Sequence, residues 1–263
     1  VMKYIYQKEY KSLIEKAADR MKKENQYIHS FGVELEGGVS SVVVDEIEEW
    51  IKELGYWERF ECGSDGSVNV APPFHYRGYW YRDAEIRFWT ETEKIELLLE
   101  LIWRLWREGF KQNSTCGNHI HVKFYNNSFI LSLIFNEKFV DMFQRKYEVF
   151  AKKRGEKYIE RIHNSYCKFY DQVSFPAALY AYQHSRYYAV NYCSVDENDT
   201  LEIRILPYCD SAKEFIENLI WLNKTLNKII DKFVRKERIM SLRIAFPKEE
   251  VIKPEEIDEE VIV

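Results

Sequence analysis

Residues 31–38, Phe-Gly-Val-Glu-Leu-Glu-Gly-Gly (FGVELEGG), alternate apolar and acidic side chains and end on two glycines. In a strand, residues two apart face the same side, so Glu34 and Glu36 share one face while Val33 and Leu35 share the other. Glutamate is a poor strand former, and two in one strand work against local propensity. The same parity returns three times. In AEIRF (84–88), Glu85 and Arg87 oppose Ile86 and Phe88. In CGNHIHVKF (116–124), His119 and His121 oppose Ile120 and Val122. In LEIRILP (201–207), Glu202 and Arg204 oppose Leu201, Ile203 and Ile205.

An antiparallel sheet with one solvated face would also alternate. In a lysine-rich chain, however, a solvated face should carry Lys, Thr and Ser, whereas these strands carry Glu, His and Arg. The pattern therefore favours a functional face over a merely wet one.

Around these strands the sequence predicts helices. Residues 8–24 form an amphipathic helix with Leu13, Ile14 and Ala17 on one side. Asp45 and Glu48 form a capping pair for a helix with the stripe Ile47, Trp50, Ile51 and Leu54, stopped by Gly55. Thr90 with Glu93 caps a helix carrying Ile95, Leu98, Leu99, Ile102 and Leu105. Ser128 starts another that runs through Leu131, Ile134, Phe135, Phe139 and Phe143. RYYAVNYC (186–193) and LEIRILP read as strands joined by the polar turn DENDT (196–200), and Ser211 with Glu214 opens a long helix ending near residue 240.

The expected fold is α+β: a single domain with a curved, mainly antiparallel sheet of five or six strands and helices packed on one face. Residues 1–30 are expected to be an N-terminal helical extension, 31–245 the functional domain, and 246–263 an acidic C-terminal tail.

Composition narrows the function. At 263 residues with 46% hydrophobic side chains, the chain can bury a core without disulfide or metal staples. The formal charge of −5 argues against a protein that coats nucleic acid. Five cysteines without a CxxC spacing indicate reduced thiols, hence a cytoplasmic protein. The first 24 residues contain no apolar run, and no stretch reaches membrane-spanning length.

Carboxylates and an imidazole gathered on one sheet face suit a hard divalent cation such as Mg²⁺ or Mn²⁺, which takes oxygen ligands and shares its shell with phosphates. Arginines beside it would clamp phosphoryl oxygens. Zinc is less suited, because the HIH pair has no clear cysteine partner beyond Cys116. Two other readings of HIH stay open. One is the histidine pair of a single-strand DNA nicking enzyme, with Tyr147 or Tyr158 as nucleophile. The other is a non-catalytic binding protein on the same fold.

The order FGVELEGG, SDGSV, AEIRF, CGNHIHVKF, RYYAVN, LEIRILP, over Phe31 to Pro207, resembles the amidoligase family, relatives of glutamine synthetase and glutamate–cysteine ligase. The resemblance implies a glutamine-synthetase-like catalytic fold and an ATP-dependent carboxylate–amine ligase working through an acyl phosphate, with Mg²⁺ (or Mn²⁺) on the sheet. By the same resemblance, Glu34 and Glu36 would ligate separate metals, and Glu85, His119 and Glu202 would complete the metal set. Arg204 would neutralise the γ-phosphate, with Arg186 as a second phosphate contact and Asn191 on the ATP side as well. His121 would support the site or touch ligand, and Asp65 would contact the incoming amine or the donor carboxylate. The partners implied are small-molecule or peptide carboxylates and amines. Within the basic segment 144–170, Lys152, Lys153, Arg154, Lys157 and Arg161 read as a solvated surface, with Arg154 and Arg161 as reserve phosphate ligands. Neither the adenine pocket nor the oligomeric state is legible.

Overall fold

The four patterned stretches are strands, and they are neighbours. A computed structural model describes residues 9–64, 66, 68–70, 75–76, 79–170 and 187–245. After α1 (Glu9–Glu24), strand β1 (Ile28–Ser40) runs through the middle of the sheet. Then come α2 (Ser41–Glu53), β2 (Phe60–Gly63), β3 (His75–Tyr76), β4 (Tyr79–Glu91), α3 (Ile95–Arg107) and β5 (Gly117–Phe124). The chain continues through α4 (Asn127–Ile134), α5 (Glu137–Arg154), α6 (Glu156–Ile162), β6 (Val190–Asn191), α7 (Ser194–Asn198), β7 (Leu201–Pro207) and α8 (Ala212–Ala245). The sheet order is β2-β4-β1-β5-β7-β6 with every pairing antiparallel, and β3 forms a short hairpin on β4. This is one α+β domain around an open six-stranded sheet.

Strand parity decides what the two faces hold. Val33 and Leu35, Ile86 and Phe88, Ile120 and Val122, and Leu201, Ile203 and Ile205 are all buried. They join Val43, Val44, Ile47 and Ile51 of α2, six residues of α3, and Phe215, Leu219, Leu222 and Leu226 of α8 in one core. Helix α1 adds Ile14, Ala17, Ala18 and Met21 to that same core. It is tied to the sheet entrance by Asn227 of α8, whose side-chain oxygen accepts the Gln26 and Tyr27 N–H groups. The 34-residue α8 is about 50 Å long and backs most of this layer.

Several element boundaries differ from expectation. Helix α2 starts at Ser41, directly after the last residue of β1, so Asp45 lies inside the helix instead of capping it. Its stripe consequently shifts to Val43, Val44, Ile47 and Ile51, and Leu54 is exposed. Thr90 is still in β4, and a 3₁₀ turn over Thr92–Lys94 separates it from α3. The helix expected from Ser128 is two helices. Asn136 interrupts it and caps α5 by accepting the Phe139 N–H at 3.0 Å, which satisfies a donor that the helix start would otherwise leave orphaned. Of RYYAVNYC, the described residues 187–193 hold only the two-residue β6, and Ser194–Asn198 is the single-turn helix α7. The Ser211 cap is present, accepting the Glu214 N–H at 3.2 Å. The 246–263 tail lies outside the described residues. No described helix is long and apolar enough to cross a membrane.

Candidate metal centre

The register sets the polar face residue by residue. Glu61 of β2 opposes Arg87 of β4, Arg87 opposes Glu34 of β1, and Glu34 opposes His119 of β5, making one row across four strands. A second row follows two residues along, with Glu36 opposite Glu85. His121 opposes Glu202, and Glu202 opposes Asn191. Between the pairs Asn118–Leu206 and Ile120–Ile203, β5 uses one residue, His119, while β7 uses two, Arg204 and Ile205. This β-bulge shifts β7 so that both Glu202 and Arg204 serve the histidine row.

Distances then define a centre. His119 Nδ1 lies 3.2 Å from Glu34 Oε2 and 3.6 Å from Glu202 Oε1, and its Nε2 lies 3.6 Å from Glu36 Oε1. Glu34, His119 and Glu202 each offer a ligand atom, all within 4.8 Å of one another, close enough for one cation to bridge them. Glu34 and Glu202 flank the Nδ1 side of the ring and Glu36 the Nε2 side, so the Nδ1 side offers two carboxylates and an imidazole to a cation.

The surroundings hold these groups in place. Glu202 takes 2.5 Å contacts from both Asn191 Nδ2 and an Arg204 terminal nitrogen. The Glu36 carboxylate accepts the Gly117 N–H at 2.5 Å. His121 is held through Nδ1 by Thr200 Oγ1 at 2.9 Å and Ser194 Oγ at 3.1 Å, with its Nε2 3.3 Å from Glu34. Burial pushes the Glu34 carboxyl up, but hydrogen bonds and charge from His119 and His121 outweigh it and hold Glu34 well below the usual carboxylate range.

All of this lines a cleft of about 1350 Å³. Glu34, Glu36, Glu85, His119, His121, Asn191, Glu202 and Arg204 are all in its wall. Within that set, Glu85 lies across from Glu36 in the register and pairs at 2.5 Å with Arg87. Arg186 and Asp65 lie outside the described residues. The cleft is also lined by Arg87 and Arg161, and its β6 rim carries the exposed rings of Tyr166 and Tyr187, 5.6 Å apart and edge to face. Arg87 sat in the same parity pattern as the carboxylates, so it was visible in the sequence without an assigned role.

The basic segment divides. Arg154 pairs with Glu217 at 2.6 Å and Lys157 with Asp210 and Glu214, so both are tied to other surface groups. Only Arg161 of the two reserve arginines reaches the cleft. Tyr147 and Tyr158 are fully buried, and their hydroxyls donate to Ile205 O and Glu214 respectively. Burial raises both phenols well above their usual value. Neither is therefore available as the nucleophile of a nicking reaction.

Gly117 opens β5 beside the carboxylate–imidazole centre. A Cβ there would come within 2.7 Å of Arg161 Nη2, 3.2 Å of His119 Nε2 and 3.4 Å of Glu36 Oε2. Gly117→Ala is expected to displace the Arg161 guanidinium and loosen the Glu36 contact, destabilising the protein by about 1–3 kcal/mol. Chemical denaturation measures this, and an unchanged midpoint would mean that the crowding is relieved by side-chain motion alone. Comparisons with protein-family models, curated proteins and solved structures find no match for this chain.

Proposed function

We propose that the protein is an ATP-dependent carboxylate–amine ligase on a curved, glutamine-synthetase-like sheet, forming an amide or peptide-type bond with the help of Mg²⁺ or Mn²⁺. The observation that carries this reading is the gathering of Glu34, Glu36, His119 and Glu202 from three adjacent strands, with Glu34 and Glu36 facing opposite nitrogens of the same imidazole. That arrangement matches what the family resemblance implies for carboxylates serving separate metals. When bound, the metal would offset the charge that builds up on oxygens passing between two anions.

The chain's own groups have distinct parts in this scheme. Glu34, His119 and Glu202 would hold one cation, and Glu36, on the Nε2 side of the ring, would serve a separate one. Arg204, fixed by Glu202, lines the cleft and would neutralise phosphoryl oxygen. His121, fixed by Thr200 and Ser194, keeps Glu34 in position. A cleft of about 1350 Å³ exceeds the usual single-ligand pocket, which suits a nucleotide together with a carboxylate and an amine. Tyr166 and Tyr187 offer ring faces at its rim to a planar base.

The test is Mg²⁺-dependent ADP release with pooled amino acids, amines and short peptides, compared between wild type and Glu36→Gln. Glutamine can still accept the Gly117 N–H, so the local structure is kept while the ligand charge is lost. Release that requires both Mg²⁺ and Glu36 is expected, with turnover in the variant reduced on the order of a hundredfold or more. Undiminished turnover in Glu36→Gln, or a covalent tyrosine–oligonucleotide adduct in place of ADP release, would sink the reading.

A further inference from the structure

We propose that Arg161 and Arg204 form an oxyanion subsite at the β7 end of the cleft, which takes a phosphate or carboxylate group of a substrate. Arg161 belongs to α6 and lies outside every motif that carries the family resemblance. Its guanidinium has five donors. One terminal nitrogen donates to the Arg204 carbonyl at 3.2 Å, while its Nε is buried and, among the described residues, without a partner. No carboxylate among the described residues pairs with it, in contrast to Arg154 and Lys157 on the same segment. Arg204 is similar: a terminal nitrogen holds Glu202, and its buried Nε has no partner among the described residues. Buried donors without partners are rare in folded proteins. Here two occur on arginines that both line one cleft and are joined by the Arg161 contact to the Arg204 carbonyl.

The position of Arg161 is built in. Gly117 leaves room for it, because the missing Cβ would sit 2.7 Å from Arg161 Nη2. That same point lies 3.2 Å from His119 Nε2 and 3.4 Å from Glu36 Oε2, so the guanidinium borders the carboxylate–imidazole centre. Arginine's rigid fork matches the spacing of phosphate or carboxylate oxygens. An oxyanion in the cleft between these two side chains would draw on guanidinium donors that the described residues leave without partners. The subsite stands on these contacts, and only the identity of the molecule that carries the oxyanion rests on the ligase reading.

Calorimetric titration of metal-free, full-length protein with pyrophosphate and, separately, with glutarate tests this without catalysis. At least one of the two is expected to bind wild type. Arg161→Ala should weaken that binding on the order of tenfold or more, Arg161→Lys should weaken it less, and Arg154→Ala should leave it unchanged. A loss confined to pyrophosphate assigns the subsite to phosphate, and one confined to glutarate assigns it to carboxylate. Wild type that binds neither, or Arg161→Ala that binds as wild type does, overturns the proposal. Mn²⁺ affinity read by electron paramagnetic resonance should stay within about twofold in Arg161→Ala, since Arg161 is not a metal ligand. A parallel fall in Mn²⁺ affinity and melting temperature in both Arg161 variants would make the residue a brace between α6 and β7 and would also overturn the subsite. ADP release tests the ligase reading separately, so either proposal can fail without the other.

Discussion

Replacing Glu34 with glutamine is expected to weaken Mn²⁺ binding by more than about a hundredfold while preserving the fold. Glu34 is the residue through which the whole centre communicates. One oxygen faces His119 Nδ1 at 3.2 Å, and the other faces His121 at 3.3 Å and Arg87 at 3.4 Å. Glutamine keeps the volume and one acceptor, but the charge that attracts a cation is gone. Titration of Mn²⁺ by paramagnetic resonance, with circular dichroism as the check on folding, measures the change, and an affinity within about threefold of wild type would remove Glu34 from the metal site.

The metal-free protein makes a second demand on the same residue. The Glu34 carboxyl is held below its ordinary 4.5, so the folded state binds its proton less readily than the unfolded chain does. The resulting stabilisation is complete above the ordinary carboxylate range and is lost as pH falls through the lowered value. Acid unfolding of wild type should therefore be steeper than that of Glu34→Gln, which has no such carboxylate to protonate.

Gly37→Ala is expected to cost about 3 kcal/mol or more. A Cβ at this position would lie 2.4 Å from Phe110 Cζ, 2.6 Å from Phe110 Cε2 and 2.6 Å from the Lys111 carbonyl oxygen. None of these can yield easily. Phe110 is buried against Trp106, their rings 4.8 Å apart, and the Lys111 backbone exchanges two hydrogen bonds with Gly38 at 2.7 and 3.0 Å. Gly63 is the control: a Cβ there meets nothing within 4 Å, and Gly63→Ala should stay within about 0.5 kcal/mol of wild type. Urea unfolding of the pair reads the difference. A Gly37→Ala loss below about 1 kcal/mol would mean that the Phe110 side of the core is far looser than its packing indicates.

The glycines ending FGVELEGG read only as a strand end, yet β1 runs on to Ser40 and Gly37 is set by a ring that lies 73 positions further along the chain. Helix starts were the least legible feature. The Asp45–Glu48 and Thr90–Glu93 pairs satisfy a local capping pattern, but β1 and β4 extend past the expected boundaries because their neighbours offer backbone partners. Asn136 shows the converse. A single side chain that caps α5 splits what hydrophobic spacing alone reads as one helix.

Strand parity needed no tertiary information, because the side-chain period of two is a property of the extended backbone. It put Glu34, Glu36, Glu85, Arg87, His119, His121, Glu202 and Arg204 on one face and their apolar alternates in the core. Only the fold decided which of these meet. The order β4-β1-β5-β7 lays Arg87, Glu34 and His119 in a row, and a bulge with one extra residue on β7 brings Glu202 to 3.6 Å from His119. Arg161 comes in from a helix with no part in that parity, into space left by Gly117. Periodicity is local and survives in one dimension. Convergence depends on register, bulges and clearance between segments far apart in the chain, and those are settled only when the sheet closes on its core.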